Sequence, residues 1–337
     1  MLGVICRKWA PYDTLRVDDI PMPSVGPGEV RIAVHYAGVS FATSLVTEGR
    51  YQRKPPLPFT PGTEVAGIVD AVAPDVSRLK PGDRVVAGVD WGGHAEFAVT
   101  HASTAYLLPD ALPLDLSPQL PGSYATSYAA LAHRAGVRAG ETVLVHGAAG
   151  AVGLAAVEFA KALGARVVAT GSTTEKLEMA RAHGADETVM LPSPTALDDI
   201  RARLPGGADV IFDPIGGDVF DLSLRCVAHG GRILVIGFAG GRIQQIPGNI
   251  LLVKNIAVLG FNFGAYTGWT KDTSRRSQHS PEMHGVMEEV FRLFTEGRID
   301  PVTSHRFALR DFRMAMETVL GRRSMGKVVL AMPVTGS

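Results

Sequence analysis

Residues 141–169, ETVLVHGAAGAVGLAAVEFAKALGARVVA, constrain this chain more than any other stretch. Residues 142–146 form a short run rich in β-branched residues with no turn former, the pattern of a strand buried on both faces. Gly147, Gly150 and Gly153 then recur every third residue, and residues 154–163 carry apolar side chains at helical spacing. A second apolar run, 166–169, follows Gly164. Strand, glycine turn, helix and strand within about thirty residues make a βαβ unit, whose crossover is right-handed. A turn of this kind aims the N–H groups of a helix start at an anion, most often a pyrophosphate, and is read here as a dinucleotide site. Ala148 stands where the common fingerprint has its first glycine, so the flanking elements carry the reading rather than the glycines alone. The competing reading is a glycine-rich turn in an unrelated α/β fold.

The end of the second strand selects the dinucleotide. An NAD site places Asp or Glu about twenty residues past the turn to bond the ribose hydroxyls. Here the sequence reads Ala169-Thr170-Gly171-Ser172-Thr173-Thr174, with no acid before Glu175. Small hydroxyls followed by Lys176 suit a 2′-phosphate, which a carboxylate would repel. Each charge-assisted hydrogen bond contributes roughly 1.5–3 kcal/mol, so two give a preference of ~10²–10⁴ for NADPH over NADH. The plainer reading, compatible with the first, is that Ser172 caps the next helix and Lys176 is solvated.

A chain of 337 residues has room for two domains and a large core. It is 46% hydrophobic, yet no apolar run reaches the 18 or more residues of a membrane span. The N-terminal segment MLGVICRKWAPYD has no stretch of signal-peptide character, and Lys plus Arg equals Asp plus Glu at 33 each. No net field therefore draws nucleic acid or anionic lipid. Cys6 and Cys226 supply no disulfide framework, and the expectation is a cytoplasmic protein.

Residues 1–121 read as β-rich and turn-dense. Residues 29–36 alternate around Val30, Ile32 and Val34, and 65–72 and 84–89 are further strand candidates separated by Pro61-Gly62 and Pro81-Gly82. That pattern suggests a barrel-like all-β domain. From Tyr124 to Ala135 the period turns helical, and βα units follow to about Asn262. The strands expected there are 143–145, 166–170, 187–190, 209–212, 232–236 and 256–260, the set for a doubly wound α/β parallel sheet. Residues 266–285 are polar and aperiodic and read as an exposed loop or lid, with disorder or a partial helix as the alternative. Residues 286–294 and 311–320 read as amphipathic helices, and 326–330 as a closing strand. The expected organisation is a catalytic β-rich domain at 1–121, a dinucleotide domain at 122–262, and a return to the first domain at 263–337.

Motifs along nearly the whole chain carry a family resemblance. They include Pro58-Phe59-Thr60-Pro61-Gly62-Thr63-Glu64, Pro81-Gly82-Asp83-Arg84-Val85, Ala95-Glu96-Phe97, Tyr124 with Thr126 and Tyr128, the VHGAAGAVG turn, Gly230-Gly231-Arg232 and Gly326-Lys327-Val328-Val329-Leu330. In this order they resemble the zinc-free medium-chain dehydrogenases/reductases, in the NADPH:quinone oxidoreductase group that includes zeta-crystallin. The resemblance implies a GroES-like N-terminal domain, a six-stranded Rossmann domain and a homodimer. A zinc alcohol dehydrogenase of the superfamily would carry Cys near Ser40, His near Thr63 and a four-cysteine lobe; none of these is present, and no metal is expected.

The resemblance also assigns cofactor contacts. Ala149, Gly150, Ala151, Val152 and Gly153 match the pyrophosphate turn, and Ser172, Thr173 and Lys176 the 2′-phosphate patch. Arg322 resembles a basic residue that reaches the same phosphate in some relatives. Gly237, Phe238 and Ala239 match backbone beside the nicotinamide, and Phe261, Asn262 and Phe263 the segment that pins its carboxamide. The chain departs from the pattern at Ser40 and Thr43, where relatives tend to carry Asn and Asp, and at Leu191, where some carry Tyr.

Hydride transfer to a quinone or α,β-unsaturated carbonyl builds negative charge on the carbonyl oxygen, which calls for a donor and a dry apolar wall. By position the donors are Tyr51, Ser40, Thr126 or the cofactor's ribose hydroxyl. Tyr51 is read as donor or substrate clamp, against a role in packing the nicotinamide. Thr126 is read as orienting the ring, and Phe41, Phe263 and Tyr266 as wall candidates. The expected function is NADPH-dependent reduction of quinones or other conjugated carbonyls. The alternatives are an enoyl thioester or alkenal reductase, for which Arg275-Arg276 is the one basic groove candidate, and a cofactor-binding protein without turnover.

Overall fold

In the computed structural model, residues 1–270 and 272–333 are described. The chain divides into two compact units: the described residues of 1–122, 263–291 and 301–337, and residues 123–262 with 292–300.

In the first unit, β1 (Leu2–Ile5) and β2 (Arg16–Asp19) form an antiparallel ribbon. Strand β3 (Glu29–Val39) is followed by helix α1 (Phe41–Thr47), then β4 (Glu64–Val72), β5 (Arg84–Gly88), β6 (Phe97–His101) and β7 (Ala105–Leu107). The alternation of Val30, Ile32 and Val34 places all three in the core, as a period of two requires. Two register irregularities against β4, at Arg31/Ile32 and Val34/Tyr36, bend β3. Along its length β3 then pairs β6 over residues 29–33 and the closing strand of the chain over 36–39.

The second unit starts with α2 (Ala125–Tyr128), flanked by π-helical turns at Leu120–Tyr124 and Ala129–Arg134. It continues through β8 (Thr142–Val145), α3 (Ala151–Ala162), β9 (Arg166–Gly171), α4 (Thr174–Ala182), β10 (Glu187–Met190) and α5 (Ala196–Arg203). Then come β11 (Ala208–Asp213), α6 (Asp218–Cys226), β12 (Val227–Val235), α7 (Gly248–Lys254) and β13 (Ala257–Gly260). The six strands run in the order β10-β9-β8-β11-β12-β13, and every pairing is parallel. This is the doubly wound Rossmann order. Val143, Leu144 and Val145 are all fully buried, which is why β8 reads as continuously apolar.

After α8 (Arg275–Thr295), strand β14 (Thr303–Ala308), α9 (Phe312–Leu320) and β15 (Lys327–Ala331) complete the first unit's seven-stranded sheet, with β15 beside β3. Two expectations are corrected here. The segment 266–285 is helical from Arg275 onward, as the first part of a 21-residue helix, which replaces the exposed-loop reading with its partial-helix alternative. Its buried stripe, Met283, Val286, Met287, Val290 and Leu293, starts only in the third turn, so the exposed opening turns show no periodicity. The segment 292–300, expected to belong with the rest of 263–337, clusters instead with the second unit. There the Asp300 N–H donates to Glu158 Oε1 at 3.0 Å and Arg298 donates to the Ala162 carbonyl.

Candidate active site

The glycine turn sits at the carboxyl end of β8, the point where the chain order reverses and an open α/β sheet leaves a crevice for ligands. Gly147 has φ +60°, a conformation costly for any residue with a Cβ. A Cβ on Gly153 would lie 2.3 Å from the Gly147 carbonyl oxygen, so the start of α3 is seated directly on the turn. Gly150 precedes α3 with extended backbone, and no side chain caps the helix there. Ala149, Gly150, Ala151, Val152 and Gly153 are thus brought together around an uncapped helix start, the arrangement that favours a bound anion.

Across β9, the three residues expected to hold a 2′-phosphate are neighbours. Lys176 Nζ donates to Ser172 Oγ at 3.3 Å, and Thr173 Oγ1 accepts from the Lys176 N–H at 3.3 Å. Thr173, not Ser172, is therefore the N-cap of α4. Hydrogen bonding to Thr173 also holds the Glu175 carboxyl below its ordinary range. Ser172 is exposed at the mouth of this turn.

Gly237, Phe238 and Ala239 follow β12, with the Ala239 N–H bonded to the Pro214 carbonyl at 3.1 Å and Phe238 exposed. Phe261, directly after β13, bonds through its N–H to the Val235 carbonyl at 3.2 Å, and Asn262 is the next residue. Thr126 lies on α2, whose Ser127 Oγ donates to the Val152 carbonyl at 2.8 Å, tying that helix to the pyrophosphate turn.

Sequence reasoning missed three residues at this edge. Asp213, at the end of β11, accepts through Oδ1 from the Ile215 and Gly216 N–H groups at 2.8 and 2.9 Å. Its Oδ2 and the Gln244 Oε1 are buried acceptors with no partner among the described residues. His146 is fully buried between Thr170 Oγ1 at 3.1 Å and Ser223 Oγ at 3.0 Å, and burial lowers its pKa. The signal available in sequence was the Asp-Pro-Ile-Gly-Gly turn after an apolar strand. Unsatisfied buried acceptors beside a turn only glycine can make fit a ligand rich in hydroxyl and amide donors, as a dinucleotide is.

The first unit holds the other candidates. Ser40 precedes α1, and its Oγ lies 3.3 Å from Thr43 Oγ1. Tyr51 is half-buried, its pKa raised by that burial, and its ring packs on Trp269 with centroids 4.7 Å apart. A small cavity of about 10 Å³ is lined by Thr43, Thr63, Asp90, Trp91 and Trp269 among others. Phe263 and Arg322 also belong to this unit, and Arg322 holds φ +54°, an uncommon conformation for a residue with a side chain.

Residues 26–110 match the family model for the alcohol dehydrogenase GroES-like domain, and 151–277 that for zinc-binding dehydrogenases. A rat protein named quinone oxidoreductase-like protein 2 is 40% identical, the match covering 94% of this chain and 89% of that one. Human quinone oxidoreductase is 33% identical over 93% of this chain and 92% of its own. Among solved structures, the quinone oxidoreductase of Thermus thermophilus, described with its NADPH complex, superposes with a TM-score of 0.82 at 33% identity, covering 98% and 100% of the two chains. The chain belongs to the medium-chain dehydrogenase/reductase family.

It falls in that family's quinone oxidoreductase group and is an oxidoreductase. Zinc, which one matched model's description names, does not fit the residues of this family member. Ser40 and Thr63 stand where ligands would be needed, and no group of three or more His, Cys, Asp or Glu side chains suited to a metal occurs among the described residues. Glu64, beside Thr63, is held instead by Lys327 in a buried ion pair. A Cβ on Gly38 or Gly122 would lie 2.4 or 1.6 Å from its carboxylate oxygens, so the glycines leave room for that carboxylate alone. His94 is fully buried with Nε2 3.1 Å from the Gly38 carbonyl, and burial pulls its pKa to about 4. A neutral imidazole bonded to backbone is a structural part of this wall.

Proposed function

We propose that this protein is an NADPH-dependent reductase of quinones or other α,β-unsaturated carbonyls. The observation that carries the reading is the Ser172–Thr173–Lys176 cluster: two hydroxyls and an ammonium, with no carboxylate before Glu175, where an NAD site needs an acid. When bound, the reduced nicotinamide supplies a hydride. The backbone of residues 149–153 holds the pyrophosphate, and Ser172, Thr173 and Lys176 hold the 2′-phosphate, with Arg322 as a further basic group for it. Gly237, Phe238, Ala239, Phe261, Asn262 and Phe263 position the nicotinamide, and Thr126 orients its ring. Tyr51 donates a hydrogen bond to the acceptor's carbonyl oxygen as charge builds there, with Ser40 as the second hydroxyl. Burial raises the Tyr51 pKa and so keeps the phenol protonated as a donor.

The enoyl thioester reading loses support at its one basic groove. Arg276 is engaged by Asp90 at 2.6 Å, and Arg275 lies 4.0 Å from Asp272. We also propose a homodimer, on the strength of the exposed edge strand β13 and its apolar neighbour α7. A cytoplasmic setting suits the two buried free thiols, and recovery of the protein from a secreted fraction would count against it.

Oxidation of NADPH and of NADH with a panel of quinones, enones and enoyl thioesters tests the function. The expected result is turnover with quinones or enones and preference for NADPH. Lys176→Ala should raise the KM for NADPH about 10- to 100-fold and leave that for NADH nearly unchanged. An equal effect on both cofactors removes the phosphate assignment. Tight NADPH binding with no turnover on any acceptor favours the non-catalytic alternative.

A further inference from the structure

The side chains around the small cavity of the first unit form a clasp. Asp90 follows β5 and takes two guanidinium groups on its two oxygens: Arg276 Nη2 on Oδ1 at 2.6 Å and Arg53 Nη2 on Oδ2 at 2.8 Å. Its backbone carbonyl accepts from Trp269 Nε1 at 2.8 Å. Both arginines hold the turn before Trp269 as well, Arg53 through the Gly268 carbonyl at 3.3 Å and Arg276 through that of Thr267 at 3.0 Å. Gly268 has φ +74°, and a Cβ there would lie 2.6 Å from Arg276 Cβ, so the segment turns as tightly as glycine allows. Arg53 also sits 5.0 Å over the Trp91 ring. Guanidinium pairs shielded in this way, with the arginine side chains 14–15% and Asp90 27% exposed, are held more firmly than fully exposed surface pairs.

The result is an indole fixed at the edge of the site. Trp269 packs on Tyr51, the proposed donor, and with Trp91 leaves only about 10 Å³ open above Thr43 and Thr63, the room of about one water. Ligand pockets usually run to ~300 Å³ or more, and Trp269 is the residue that both lines this cavity and packs on Tyr51, so its indole is the bulk that limits the space on that side.

We propose that Trp269, held by the Asp90 clasp, sets the size of acceptor that this oxidoreductase takes, limiting it to single-ring quinones and small conjugated carbonyls, with Asp90 as a positioning residue. This rests on the reading of the Tyr51 wall as the acceptor site. The test compares 1,4-benzoquinone, 1,4-naphthoquinone and 9,10-phenanthrenequinone as acceptors for wild type, Trp269→Ala, Trp269→Phe, Asp90→Asn and Asp90→Glu. Dissociation constants for NADPH are measured alongside, together with tryptic cleavage after Arg275 and Arg276.

In wild type, KM is expected to rise steeply with ring number. Trp269→Ala and Asp90→Asn should lower the KM for the three-ring quinone about tenfold relative to benzoquinone, with kcat changed less than KM and NADPH affinity unchanged. Trp269→Phe and Asp90→Glu should keep much of the wild-type order. Asp90→Asn should also speed cleavage at Arg275 and Arg276, which reads the clasp without any turnover. Faster cleavage with an unchanged acceptor order overturns the size assignment. A shifted order in Trp269→Ala but neither effect in Asp90→Asn overturns the positioning role. No shift in any variant of an enzyme that still reduces benzoquinone overturns the proposal while leaving the reductase reading intact; no reduction of any acceptor by wild type overturns both.

Discussion

Glu64 and Lys327 are 263 positions apart in sequence, yet they form one of the most buried ion pairs in the protein. Two charges removed from water are tolerable only as a pair, and removing one leaves the other without compensation. Gly38 and Gly122 close over the carboxylate so tightly that a replacement partner has no way in. Lys327→Met should therefore destabilise the protein by about 3–5 kcal/mol, seen as a loss of thermal midpoint in the absence of ligand. A midpoint within a degree or two of wild type would show that the pair is not shielded as described. Lys327 is visible in the sequence only as part of a Gly-Lys-Val-Val-Leu run. Nothing local predicts its partner, because the pairing depends on β15 reaching the sheet that holds β4.

At the level of elements, the reading from sequence worked best where an element's own residues decide it. β8, α3 and β9 follow from an apolar run, a glycine turn and a helical stripe, each complete within its own window. α8 was legible only from the point where its buried stripe begins. β13 raises a different question, since it ends the parallel sheet and presents one edge beyond β12. Beside it in the chain, Leu252 and Val253 of α7 are 77% and 76% exposed. If this edge pairs with a second copy, light scattering should read twice the chain mass for wild type, and Leu252→Glu with Val253→Glu should shift it toward monomer. A wild-type monomer at micromolar concentration would remove the dimer.

For the whole molecule, two buried histidines and a half-buried one pull the pH dependence of stability in opposite directions. His94 has a folded pKa of about 4 against an ordinary 6.5, so the unfolded chain binds a proton that the folded one refuses. Its contribution, about 3 kcal/mol, is fully present above pH 6.5 and is lost as pH falls toward 4. His146 is shifted down by burial and acts in the same direction. His183 is shifted up, chiefly by its 2.6 Å hydrogen bond to Glu158, so its contribution is present below 6.5 and lost as pH rises through its folded value. Thermal midpoints measured from pH 4 to 9 should fall steeply on the acid side. His94→Gln should flatten the acid limb, and His183→Gln the gentler alkaline one. An acid limb unchanged in His94→Gln would show that other groups cause it.

The sequence by itself determined the fold class, the position of the glycine turn and the absence of an acid at the end of β9, because each is a property of neighbouring residues. Only the tertiary structure decided that Thr173 rather than Ser172 caps α4, that residues 292–300 pack with the second unit, and that Asp90 binds two arginines more than two hundred residues apart. The cap is a choice between two adjacent hydroxyls that only backbone geometry makes, and the other two outcomes depend on contacts between segments remote in sequence, set by how sheets and helices pack and not by any local pattern of residues.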